Sequence, residues 1–366
     1  MSCDGEHPGI VGKRAYKEEN TLKNNILTEF NRFLKAEQCY KEIYQNCPEA
    51  FLTPIKSWEE FAARTEAKMT VPEQAPSPIL PVLSEKEWFS SADVDVAIVR
   101  NDRYCPPFWH RLEFIKIVYV LQGEATLNVK DFVIQITEGN LCIVSPNVEN
   151  AVFSCHDEDI VLNIIVRKST FESAFSGLLS EKNYLSDFFW QMLYEKGGNR
   201  VLSLVKSGDV DLTEHVLLLY QELYREEKTS NIMVKSYLML IFGWIIRGYE
   251  LLHTYNENAN PQSERMSNII RHMVKNKSVI TLPALAEHFH LSEGYLSRYI
   301  RRETGVTFYV LLKRIRMQAG AQMLIHSECS IEEIVDAVGY SDVSRFYRNF
   351  KEIYGLTPYQ YRLKNQ

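Results

Sequence analysis

Six cations in two short runs could read a polyanion. Arg298, Arg301 and Arg302 project from a helical run, Tyr295 to Glu303, and Arg345, Arg348 and Lys351 from another, Ser344 to Glu352. Arginine can grip a guanine edge with two parallel hydrogen bonds, and either cation can neutralise a phosphate. Spacings of three and four residues stack such side chains along one side of a helix.

What must position them is a short helix and a tight turn ahead of each run. Leu282, Leu285, Ala286 and Phe289 form one apolar face, Ser292 is a good N-cap, and Gly305 stops the helix that follows. The pattern recurs with Ile331, Ile334, Val335 and Val338, the turn Gly339-Tyr340-Ser341 and the cap Asp342. The offset between copies is 49 residues through the first helix, pairing Phe289 with Val338, and 50 afterwards, pairing Ser292 with Asp342, Arg298 with Arg348 and Gly305 with Gly355. Two short helices joined by a tight turn are the helix-turn-helix unit, whose second helix enters the major groove. The residues between the copies, Phe308 to His326, fit a helix of roughly 28 Å, close to the roughly 34 to 36 Å between successive major grooves on one face of a duplex. One chain could then read two adjacent groove segments.

The 366 residues predict two or three domains, and 45% hydrophobic with 24% charged residues is a soluble, core-forming composition. A net charge of −6 argues against a nucleic-acid binder only if the charge is evenly spread. It is not: Gln262 to Gln366 holds 15 Lys and Arg against 10 Asp and Glu, a balance of +5, so the remainder carries −11. Such asymmetry hints at a nucleic-acid-facing module joined to something else. The seven cysteines are scattered and never spaced C-x-x-C, which predicts neither a disulfide framework nor a zinc knuckle but reduced thiols in a cytosolic protein. Met1 to Asn20 lacks the apolar core of a signal peptide, and the strongly apolar stretch Tyr237 to Ile246 is too short to span a membrane.

The segment Met266 to Lys364 closely resembles the DNA-binding domain of the AraC/XylS family of bacterial transcription regulators. The match runs through Thr281 to Gly305 and Ile334 to Arg362, with Ile300 in place of the usual Phe and Val335 in place of the usual Ala, both at positions expected to be buried. The resemblance implies base-facing positions at Gly294, Ser297 and Arg298 in the first recognition helix and Val343, Ser344, Arg345 and Arg348 in the second. Arg301, Arg302 and Lys351 sit a turn farther along and are expected to meet phosphates. Gly294 leaves a gap in the first reading surface, so the second helix is expected to supply more of the specificity.

Upstream, short β-branched and aromatic runs from Asp93 to Arg167 predict an all-β barrel or sandwich. His110 to Gly123 with Glu138 to Pro146 looks like the cupin-type barrel that serves as sensor in many members of this family. Metal-dependent cupins place His, His, Glu and His around the ion. Here those positions hold His110, Leu112, Lys116 and Asn150, with His156 nearby but off register, so no metal and no other cofactor is expected. Without those ligands, and with no Ser/His/Asp set, phosphate loop or dinucleotide fingerprint, an enzyme is not expected either. A small-molecule pocket remains, with His110, Glu113, Lys116, Tyr119 and Asn150 as candidate lining. Strand alternation puts His110, Leu112, Phe114 and Lys116 on one face and Glu113, Ile115, Ile117 and Tyr119 on the other, so not all can point inward.

The expected fold class is multidomain α+β: a cupin-like all-β barrel sensor plus an all-α double helix-turn-helix domain. The expected parts are a helical extension and Pro-rich linker over 1–81, a sensor over 82–168, helices over 169–260 that either couple and dimerise or cover the barrel, and the DNA-binding domain over 261–366. The expected function is effector-responsive transcription regulation, activation by family default. The implied partners are double-stranded promoter DNA, a small-molecule effector (sugars among the candidates), RNA polymerase and a second copy of the chain, in the bacterial cytoplasm and on the nucleoid when bound. A repressor and a metal-free ligand-binding or interaction protein are the alternative readings.

Overall fold

The computed structural model describes residues 25–65, 80–89, 95–130, 132–168, 170, 183–194, 200–224, 231–256 and 263–365. Most of the Pro-rich run Val71 to Pro81 and most of the polar linker Asn256 to Ser263 lie outside them. The described residues divide into two compact units, one drawn from 1–165 and 203–253, the other from 166–202 and 254–366. The helical region expected over 169–260 is therefore shared between the two units.

The β-branched runs of 93–167 form strands almost where expected, and further strands lie outside that range. They are β1 (Val82–Leu83), β2 (Val96–Arg100), β3 (Arg111–Leu112), β4 (Ile115–Gln122), β5 (Glu124–Val129), β6 (Phe132–Thr137), β7 (Leu141–Val144), β8 (Asn150–Phe153), β9 (Ile160–Val166), β10 (Arg200–Lys206) and β11 (Tyr249–Asn256). They form sheets in the orders β11-β10-β7-β4-β9-β2, β6-β5-β8 and β1-β3. Residues 115–121 of β4, an inner strand, are buried on both faces, which is why they read as a continuous apolar run rather than an alternation. β6 is exposed at every residue except Ile134 and Ile136, the pattern of a sheet with one wet face.

One sequence expectation is corrected here. The stretch Ile232 to Leu252 reads as continuously helical, but the helix Asn231–Gly248 gives way directly to β11. Gly248 is pressed so closely on Val210 that a Cβ there would lie 2.3 Å from the valine side chain. Its carbonyl accepts a hydrogen bond from Ser207 N at 2.8 Å, which starts the sheet edge. Local periodicity carries no trace of that long-range pairing.

The described part of the N-terminal extension belongs to this unit. Helices at 25–31 and Lys35–Asn46 precede the helix Trp58–Arg64, which is capped by Ser57 accepting from Glu60 N at 3.2 Å. Between the last two, Ile55 bonds to Pro107 O (2.8 Å) and to Trp109 N (2.9 Å), so the extension adds a parallel bridge to the loop before β3. Tyr40, Phe51, Trp58 and Phe61 share one apolar cluster with Tyr104.

In the second unit the helix Tyr184–Tyr194 is buried along nearly its whole length. It packs on the helix Ser263–Lys275 through Gln191 Nε2 donating to Ser267 Oγ (3.1 Å) and an Arg271–Asp187 ion pair. Tyr194 OH donates to Gln318 Oε1 at 2.7 Å. The remaining helices are Leu282–His288, Glu293–Thr304, Phe308–His326, Ile331–Ala337, Val343–Tyr354 and Pro358–Asn365. Together the two units make an α+β protein with its sheets towards the N-terminus and a helical C-terminal region.

Candidate nucleic-acid interface and sensor cavity

The two helix pairs of the second unit are built by the same local devices. Thr281 and Ser330 cap the first helix of each pair, accepting from Ala284 N and Glu333 N, and Glu333 returns a carboxylate to Ser330 N at 2.7 Å. In each turn one residue adopts positive φ, His290 at 54° and Gly339 at 86°. The next amide bonds back to the helix, Leu291 N to Ala286 O and Tyr340 N to Val335 O, both at 2.9 Å. These pairs all keep the 49-residue offset, so the extra residue of the second copy enters after Tyr340. Ser292 and Asp342 then cap the second helices, and Gly305 (φ 75°) and Gly355 (φ 72°) end them in the left-handed region that favours glycine.

These devices leave the cations outward. Leu296, Tyr299 and Ile300 of the first recognition helix, and Phe346 and Phe350 of the second, are buried. Arg298, Arg301, Arg302, Val343, Ser344, Arg345, Arg348 and Lys351 are exposed, and Ser297 is half-buried. Both family departures sit in the core, Ile300 at 0% and Val335 at 1% exposure, so they bear on packing. Gly294 is exposed, and a Cβ there would meet nothing nearer than the Arg298 guanidinium at 3.6 Å. Arg302 differs from the other cations: it bonds Glu303 at 2.6 Å and lies 5.1 Å from the Tyr299 ring centre.

The sensor candidates separate into two groups. His110, Leu112 and Lys116 line one cavity of about 240 Å³, together with Trp88, Arg100, Asp102, Phe108 and Asn163. Lys116 Nζ donates to Asn150 Oδ1 and lies 3.5 Å from His110 Nε2, while Asn150 Nδ2 donates to Val148 O at 3.0 Å. The four positions compared with a metal site are thus brought together, but an ammonium stands among them. Burial pulls the Lys116 ammonium down to about 7. Burial, and then the charge of Lys116, pull the His110 imidazole down to about 3. One imidazole beside a cation does not fit a divalent metal.

Glu113 and Tyr119 are corrected as lining residues. Glu113 is exposed and accepts from Glu85 N at 3.3 Å. Tyr119 is buried away from this cavity, with its hydroxyl 3.2 Å from Thr213 Oγ1 and burial pushing it up to about 12. Strand alternation separates them from Lys116, as the two-face reading requires. His156 is half-exposed and lies 3.3 Å from Asp159.

A family model described as a helix-turn-helix domain matches residues 285–364, the duplicated unit almost in full. The HTH-type transcriptional activator RhaR of Enterobacter sp. (strain 638) is 22% identical over 291 residues, covering 78% of this chain and 97% of that protein. Residues 285–364 are thus a helix-turn-helix domain similar to that of AraC-family transcription regulators. A further relative, the HTH-type transcriptional regulator YtdP of Bacillus subtilis (strain 168), is 28% identical over 109 residues, 29% of this chain but only 14% of that protein. Among solved structures, the C-terminal domain of the two-component response regulator yesN from Fusobacterium nucleatum is 34% identical, covering 27% of this chain and 98% of that one, with a TM-score of 0.25.

Several residues around the cavity carried no sequence signal. Arg100 and Arg103 both bond Glu37, which is 0% exposed and lies some 66 residues upstream of Arg103. Burial raises the Glu37 carboxyl, but hydrogen bonds from Arg103 and Leu34 and the charge of Arg100 outweigh it and hold the group below its usual range. Arg100 is thereby fixed in the cavity wall. A charged residue in the helix Lys35–Asn46 and two arginines around β2 could not be paired from sequence, because the contact is non-local.

Proposed function

We propose that this protein is a sequence-specific, effector-responsive regulator of transcription, an activator, that reads promoter DNA through two recognition helices in one chain. The observation that carries the reading is the duplicated exposed basic face: Arg298 and Arg301, beside the half-buried Ser297, on one helix and Val343, Ser344, Arg345, Arg348 and Lys351 on the other. Arg298, Arg345 and Arg348 are the base-reading side chains, and Arg301, Arg302 and Lys351 meet phosphates. The first unit is the cupin-like sensor, with residues 25–65 completing it, and its effector enters the cavity beside Lys116 rather than a catalytic centre. Effector binding shifts how two copies engage their half-sites, which requires that it favour one state over the other. RNA polymerase is the partner on the promoter, and the cytoplasm is the place of action; no helix among the described residues is long and apolar enough to cross a membrane.

The test is fluorescence anisotropy with duplexes tiled across the promoter upstream of its own coding sequence, titrated with salt. Specific binding should weaken along a log–log slope of about −0.9 for each phosphate neutralised. Binding that ignores salt, or that shows no preference for any tile over unrelated DNA, would contradict the reading.

A further inference from the structure

We infer that the sensor cavity takes a small monocarboxylate, its carboxylate held by Lys116 and its apolar body against Trp88, Phe108, Leu112 and Val152. The inference rests on the effector reading above and narrows it to a ligand class.

Lys116 is 3% exposed on the inner strand β4 and is among the residues lining the cavity. Another buried cation of this unit, Arg103, has Glu37 as its counterion. Lys116 has neutral partners, and among the described residues no carboxylate lies within ion-pairing distance of it. A buried charge without a counterion is costly unless something supplies one. The acid in the cavity lining, Asp102, lies 4.0 Å from Arg100, and Arg100 is itself bonded to Glu37.

The hydrogen bonds around Lys116 fix its geometry. His110 Nδ1 lies 3.0 Å from the Phe108 carbonyl, which can only accept, so Nδ1 carries the proton and Nε2 presents a lone pair to Lys116. Asn150 spends its amide N–H on Val148 O and turns its oxygen to the ammonium. Two of the three ammonium protons are therefore used, and one remains for the cavity. Asn163 also lines the cavity, and its buried Oδ1 has no hydrogen-bond partner among the described residues. A flip of that amide would offer an N–H to a second carboxylate oxygen.

Charge and size set the class. One uncompensated cation matches a monoanion rather than a dianionic phosphate. Trp88, Phe108, Leu112 and Val152 give the cavity an apolar wall, so the inference takes an acid with an apolar body where the sequence expectation named sugars among the candidates. About 240 Å³ is below the roughly 300 to 1,000 Å³ of drug-sized sites, so the body is small.

The experiment uses the full-length protein with hexanoate and benzoate against their neutral isosteres hexanamide and benzamide, read by thermal shift and calorimetry. The acids should bind at least about ten-fold tighter than the amides, the low end for a hydrogen bond to a charged group. Their affinity should fall as pH rises through about 7, where Lys116 loses its charge; His110 stays neutral throughout. Lys116→Met should abolish the preference for acids and should not lower the unliganded melting temperature, since a buried charge has been removed. The pH dependence tests the inference even if that variant misfolds. Amides binding as well as acids, or Lys116→Met keeping the preference, would overturn the carboxylate assignment and leave the effector reading standing. If neither acids nor amides bind, both fail.

Discussion

Arg345→Ala separates base reading from charge neutralisation on the second recognition helix. Arg345 lies in the first turn, where its backbone N–H is held by Asp342 Oδ1 at 3.2 Å, and its side chain is exposed. No ion pair among the described residues engages its guanidinium, so it can meet DNA without first breaking a bond. A bidentate contact to guanine contributes about 1–3 kcal/mol of discrimination, roughly a 5- to 150-fold loss of affinity for the preferred duplex. Against a set of duplexes substituted one base pair at a time, the variant should lose preference at a single position. Lys351→Ala should instead weaken every duplex alike and flatten the salt slope by about 0.9. Arg302→Ala should cost less than about 1 kcal/mol, because Arg302 must leave Glu303 before it can reach a phosphate. The assay is anisotropy between roughly 50 and 200 mM salt, the range over which phosphate contacts are most visible. If Arg345→Ala weakens all duplexes equally and flattens the slope, the residue is a phosphate contact and the base-reading assignment is wrong. If Arg302→Ala costs as much as Arg345→Ala, intramolecular pairing does not decide which cations matter.

Glu37→Ala should destabilise the first unit by about 3–5 kcal/mol, since it strands Arg103, 1% exposed, and Arg100. Lys41→Ala, which breaks the more exposed pair with Asp157, should cost no more than about 1 kcal/mol in the same denaturant titration. The Glu37 carboxyl is held below its ordinary value near 4.5, so its contribution is fully present above that pH and is lost as pH falls through the lowered native value. Wild type should therefore lose stability below about pH 4.5 more steeply than Glu37→Gln, measured by urea midpoints across pH. Gly339→Ala should be far worse than Gly355→Ala. Both need positive φ, at about 1 kcal/mol or somewhat more for a side chain, but a Cβ at Gly339 would also lie 2.3 Å from Ser278 O, whereas at Gly355 it would meet nothing within 4 Å. Thermal melts of the two variants, with promoter affinity alongside, give the comparison.

The double helix-turn-helix was legible because its signals are local. Caps such as Ser292 and Asp342, the stops Gly305 and Gly355, and apolar spacings of three and four act within a few residues, and the second copy repeats them. Most of the strands were legible for the same reason. The helix-to-strand switch at Gly248 was not, since it depends on Val210 and Ser207, about 40 residues upstream.

The sequence alone thus determined the reading head, its exposed cations and the run of strands upstream, because propensity, capping and periodicity need no partner distant in the chain. Only the tertiary structure decided what those strands enclose. Pairing sets Asn150 beside His110 and turns Lys116, 34 residues away from Asn150, into the same cavity, while sending Tyr119 to the other face. It also brings Glu37 to Arg100 and Arg103, so that the N-terminal helices become part of the first unit. Such contacts form when the chain closes long loops around a common core, and the free energy that selects them belongs to the whole packing rather than to any short stretch.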